Sequence, residues 1–89
     1  MLRSIHITFP VKKKNKSDTY RTMADYRELG DTRCFWLPET QRQLRHKHHV
    51  VAEGCVIEDL ITGERFQCSR VIIPDIRPKR PIMQVEPIR

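Results

Sequence analysis

Val56-Ile57-Glu58-Asp59-Leu60-Ile61-Thr62-Gly63-Glu64-Arg65-Phe66-Gln67-Cys68 is the stretch that decides the fold. Two β-prone runs flank Thr62-Gly63, a dipeptide suited to a tight reversal, so the segment reads as a β-hairpin. Downstream, Ser69-Arg70-Val71-Ile72-Ile73-Pro74 continues that strand or follows as another. Pro74 to Pro81 holds three of the six prolines, with Arg77, Lys79 and Arg80 among them. Proline fixes φ and removes a donor, so 74–81 is expected to be an extended, non-helical connection. Ile82-Met83-Gln84-Val85-Glu86 closes the chain as a last strand, its apolar positions Ile82 and Val85 not quite in phase.

Upstream, Val50 to Ile57 reads as a strand in which Gly54 marks a bulge or bend. Residues 39–49 contain one apolar residue, Leu44, and are expected to form a solvated loop or a short partner-facing helix begun by Pro38 and Glu39. Thr32-Arg33-Cys34-Phe35-Trp36-Leu37 is the most β-like run, preceded by the turn signal Gly30-Asp31. Its adjacent rings, Phe35 and Trp36, point to opposite faces, one to the core and one to a partner or neighbouring element. Residues 19–28 suit an edge strand or extended arm, although Met23-Ala24-Asp25 would also suit a helical turn. Ile5, Ile7 and Phe9 alternate as in a half-buried strand. Four lysines in five residues, Lys12, Lys13, Lys14 and Lys16, repel one another, so 12–18 is expected to be a mobile loop. The sum is a mainly β chain, a small barrel or sandwich of five to seven short strands with at most one short helix.

At 89 residues the chain is one domain, 1–89, with a thin core. That size excludes large catalytic clefts and repeated βαβ cofactor folds. No run approaches the roughly 18 apolar residues of a membrane span, and the start lacks the apolar stretch of a secretory signal, so no membrane contact is expected. Three thiols, Cys34, Cys55 and Cys68, are an odd number among β-prone neighbours and read as small buried hydrophobes.

Zinc is the tempting chemistry, because His46, His48 and His49 lie between Cys34 and Cys55. The thiols are 21 and 13 residues apart and form no Cys-x(2–4)-Cys knuckle. His46 and His48 would share a strand face, but Arg45 and Lys47 beside them disfavour a dication. No metal and no cofactor is expected. Nucleotide-loop, nucleophile-elbow and zinc-protease motifs are absent from the sequence, and Glu58, Asp59 and Glu64 flank a turn where solvated acids sit. The expectation is that the protein is not an enzyme.

The basic clusters carry more. Lys12, Lys13, Lys14 and Lys16 form one, Arg42, Arg45, Lys47 and His48 a second, and Arg77, Lys79 and Arg80 a third. Seventeen Lys+Arg against 11 Asp+Glu give a formal +6, and such loops attract a polyanion. The aromatics are too few and too scattered for a base-stacking platform, so any nucleic-acid contact is expected to be blind to sequence.

Taken in order, the segments resemble the small head–tail joining, or head-closure, connector proteins of tailed bacteriophages. The likeness rests on Arg3-Ser4-Ile5-His6-Ile7-Thr8-Phe9-Pro10, on Thr32 to Thr40 with its central aromatics, on the hairpin through Gly63 to Ile72, and on Pro81 to Glu86. The cysteines and the proline-rich 74–81 depart from the family pattern. The resemblance implies a β-barrel subunit of the virion, assembled in the bacterial cytoplasm as a homo-oligomeric ring between portal or adaptor and tail proteins. It implies that the basic loops reach neighbours or make non-specific contact with packaged DNA. Phe35 or Trp36 is the candidate apolar anchor of the ring interface. The rival reading is a free-standing basic β-barrel that binds RNA or DNA electrostatically.

Overall fold

The computed structural model describes residues 1–10 and 18–88. Its elements are β1 (Leu2–Phe9), β2 (Asp18–Leu29), β3 (Thr32–Trp36), α1 (Gln41–His46), β4 (Val56–Asp59), β5 (Arg65–Ile72) and β6 (Ile82–Pro87). The six strands close into an antiparallel barrel in the order β1-β2-β3-β6-β5-β4. Closure comes from β1, which pairs with β2 on one side (Ile5 opposite Thr22) and with β4 on the other (Ile5 opposite Asp59). A barrel, not a sandwich, is therefore the architecture, with no helix long and apolar enough to cross a membrane among the described residues.

Alternation fills the interior. Ile5, Ile7 and Phe9 of β1 point inward, and Ile57, Phe66, Met83 and Val85 meet them from β4, β5 and β6. Phe35, Phe66 and Tyr26 form an aromatic trio with ring centroids 5.0 to 6.0 Å apart. Phe35 and Phe66 are fully buried, each contributing roughly 2–3 kcal/mol of hydrophobic stabilisation. The phase problem in β6 has a simple answer. Met83 and Val85 face the core cluster, while Ile82 lies outside that cluster in a cross-strand row with Trp36 and Ile72, yet is itself buried.

The hairpin forms as read, with Ile57 opposite Phe66 and Gly63 at φ +77° closing the turn through its N–H to the Asp59 carbonyl. Residues 19–28 lie within one long strand, and Asp18, assigned to the loop by the sequence, is its first residue. The strand expected over 50–57 begins only at Val56. Gly54, at φ +92°, donates to the Cys68 carbonyl, and Cys68 donates back to Cys55. Two residues thus oppose one, a bulge with glycine in the left-handed region, and it ends the ladder before Val50 and Val51 can join. A second irregularity in β5, between Cys68 and Arg70, lets a single strand run from Arg65 to Ile72. The 74–81 segment is not extended throughout, because the chain bends over 75–78 and Arg77-Pro78 is cis.

The polar stretch after Pro38 makes a helix of one and a half turns. Thr40 caps it, accepting from the Gln43 N–H while the Gln43 side chain accepts from the Thr40 N–H. The sequence found no apolar face to bury here, yet Leu44 is 1% exposed and belongs to the core. One leucine is enough to pin so short a helix to the core.

Candidate functional site: the basic end of the barrel

Every neighbouring pair of strands is antiparallel, so the connections after β1, β3 and β5 emerge at one end and those after β2 and β4 at the other. Two of the three basic clusters, those in described residues, belong to the first set. Arg42, Arg45 and Lys47 lie between β3 and β4, and Arg77, Lys79 and Arg80 between β5 and β6; all six are exposed. Lys12, Lys13, Lys14 and Lys16 fall outside the described residues, in the segment joining Pro10 to Asp18. The three connections hold ten of the 17 Lys+Arg but three of the 11 Asp+Glu, so they account for the whole positive excess of the chain.

Backbone bonds hold two of the clusters side by side. The Gln41 N–H at the start of α1 donates to the Lys79 carbonyl at 3.0 Å, and Leu37 donates to Pro81 at 3.1 Å. Arg42 and Arg45, one helical turn apart, share the side of α1 away from Leu44. A hollow of about 550 Å³ is lined by Glu39, Arg42, Gln43, Arg45, His46 and Lys47. These residues all come from α1 and its immediate flanks, so it is a surface depression and not a ligand chamber. Lys47 reaches Glu39 at 3.1 Å and Lys79 reaches Asp75 at 3.7 Å, exposed pairs of little energetic weight. Among the described residues Arg42, Arg45, Arg77 and Arg80 join no ion pair.

The histidines have separate positions. His46 ends the helix, His48 stands exposed at φ +64°, and His49 is tucked inward, so no strand face unites His46 and His48. His49 stacks on Phe9 at 5.0 Å, leans on Tyr20 at 4.9 Å, and its Nδ1 lies 2.9 Å from Asp18. It ties the β3–β4 connection to the first residue of β2. Cys55 and Cys68 lie in the core, Cys34 is buried outside it, and no three metal-ligating side chains converge among the described residues. Burial pushes all three thiols up, Cys68 to about 11, so none is poised as a nucleophile.

Of the two candidate anchors, Phe35 has no exposed surface and is part of the core, which removes it as an interface residue. Trp36 is the outward ring. It packs under the Arg27 guanidinium, 4.6 Å from the ring centroid. Its Nε1–H is buried and has no partner among the described residues.

Sequence reasoning missed Asp59. It was placed with solvated turn acids, yet it is 1% exposed. Burial raises its pKa, but a 2.8 Å bond from Arg3 and bonds from the Ile61 and Thr62 N–H groups outweigh that, holding it below the ordinary 3.8. Its partners organise the β4–β5 turn at the end opposite the basic one. No protein-family model, curated protein or solved structure matches the chain.

Proposed function

We propose that the chain is a virion structural protein, a head–tail connector or head-closure subunit of a tailed bacteriophage that joins copies of itself into a ring between portal or adaptor and tail. The observation that carries this reading is the contrast between the two ends of a closed barrel. Among the described residues one end holds six Lys+Arg against three Asp+Glu in the connections 37–55 and 73–81, and the other has Leu2, Leu29 and Ile61 each more than 60% exposed. A subunit held between two different layers needs two different end faces, and exposed aliphatics suit surfaces that neighbours complete. The thin core fits the same setting, since subunit contacts add stability by mass action. Half-buried Trp36 and exposed Ile72, on either side of the buried Ile82 in one cross-strand row, are the apolar side-wall residues where a neighbouring copy would dock.

The test is electron microscopy of the purified protein added to tail-less, DNA-filled heads of the phage that encodes it. Ring-shaped density at the portal vertex is the expected result. A protein that stays monomeric and leaves the vertex bare overturns the reading, as does a gene neighbourhood free of portal, capsid and tail genes.

A further inference from the structure

We infer that the basic end of the barrel binds the phosphate backbone of double-stranded DNA without reading its sequence. This names the partner of the site described above; it rests on the connector reading for its setting in a virion. Three observations select this partner.

The first is the state of the arginines. Arg42, Arg45, Arg77 and Arg80 are exposed and outside every ion pair of the described residues, so their forked donors are available to an anion. The Gln41–Lys79 backbone bond fixes the two connections that carry them next to each other, giving one contiguous surface. Duplex DNA presents a negative charge about every 1.7 Å along its axis, which a patch of this breadth can meet at several points.

The second is what the surface lacks. Protein interfaces are built on aromatic and apolar anchors with lysine depleted. Here the nearest ring, Tyr20, is roofed by His49 at 4.9 Å and by the Lys47 ammonium at 5.5 Å. Val50 and Ile76 are the exposed aliphatics of these two connections, and no aromatic accompanies them. An acidic protein is therefore the poorer fit.

The third disfavours a single strand. Binding unpaired bases requires open rings to stack on. Phe9, Tyr26, Phe35 and Phe66 are in the core, Trp36 lies under Arg27 and Tyr20 under His49, so the exposed rings at this end are the small imidazoles of His46 and His48. Much charge with so little stacking surface favours the double helix, whose bases are already stacked.

The experiment is fluorescence anisotropy with a labelled 30-base-pair duplex of arbitrary sequence, against the intact protein. Neutralising about four phosphates gives a slope of log affinity against log salt near −3.6, hence a loss of about 100-fold between 50 and 200 mM salt. Arg42→Gln with Arg45→Gln, and separately Arg77→Gln with Arg80→Gln, are expected to weaken binding about tenfold and to flatten the slope by about two. Arg65→Gln, at the opposite end, is expected to change neither. Thermal melting of each variant guards against misfolding, and having two independent pairs keeps the test decisive if one fails to fold. Absence of binding at 50 mM salt overturns the inference. So does equal affinity for polyglutamate of matched charge, tighter binding of a single strand, or an Arg65→Gln loss as large as the others. Rings on the portal vertex without duplex binding would sink this inference alone; duplex binding without rings would sink the connector reading alone.

Discussion

The two ends of this barrel use charge in opposite ways. At the β4–β5 end, Asp59 is buried and accepts from Arg3 at 2.8 Å and from two turn amides, while Arg33 lies 3.6 Å from Glu64. At the α1 end, four arginines stand in water with no acid partner among the described residues. Charge at the first end maintains the fold; at the second these four arginines are left over from folding. A residue whose electrostatics are satisfied inside the chain has little to offer a partner, and one that is unsatisfied costs the fold nothing to lose. Mutation should therefore separate the ends cleanly, with stability changing at one and binding at the other.

The largest effect is expected at Asp59. Asp59→Ala strands the Arg3 guanidinium and two amide donors, and should cost about 3 kcal/mol, read as a lower midpoint in urea. Acid titration probes the same group. Because its pKa is held below 3.8 in the folded chain, its contribution is complete above about pH 4 and is lost as pH falls through the folded value. Wild-type stability should thus decline more steeply below pH 4 than that of Asp59→Ala. Parallel acid curves for the two proteins would break the comparison at its stabilising end.

Next comes a place where the basic end does serve the fold. Leu44→Ala removes the side chain by which α1 is anchored in the core and should cost about 2–3 kcal/mol, toward the low side for a core leucine because so short a helix can resettle. The same unfolding curves measure it. A smaller loss, about 1–2 kcal/mol, is expected for Gly54→Ala. A Cβ there would meet only Pro10 at an ordinary 3.9 Å, so the cost is that of holding alanine at φ +92° and not of a clash.

How much of this the sequence disclosed depends on the range of the interaction. The hairpin was legible because Thr62-Gly63 is local turn chemistry, and β1 because its alternation is strict. Gly54 was legible as a bulge, but the loss of strand before it was not, since the partner that creates the bulge, Cys68, lies 14 residues on. Burial of Asp59 was illegible for the same reason at greater range: its ion-pair partner is 56 residues away. Leu44 looks unable to anchor a helix because periodicity counts apolar faces, whereas a six-residue helix is held to the core by one buried side chain. The meeting of the two described basic clusters is legible in strand direction: with 19–28 a strand, alternation puts the connections after β3 and β5 at one end, and those carry Arg42, Arg45, Lys47, Arg77, Lys79 and Arg80. Which of Phe35 and Trp36 faced inward was left open by alternation alone, because period two separates the faces without saying which is inside.

The smallest expected effect sharpens the comparison most. Alanine at Arg42, Arg45, Arg77 or Arg80 should change folding stability by less than about 0.5 kcal/mol, within the ordinary range for surface positions. The reasoning is specific to these residues: each is exposed, none joins an ion pair among the described residues, and the backbone bonds that seat α1 against 79–81 survive the change. Removing like charges from one crowded end could even relieve repulsion, so a slight gain fits as well as no change. Urea unfolding of the four single variants, run beside Arg3→Ala, checks it. Arg3 carries the same guanidinium but bonds Asp59 and covers the Tyr26 ring at 4.2 Å, so its loss should cost well over 1 kcal/mol. If the four alanines destabilise as Arg3→Ala does, the basic end is part of the folding electrostatics and its charge is not free for a partner. If they are silent while Arg3→Ala is not, identical side chains divide by end, and the charge at the α1 end has no role left within the chain itself.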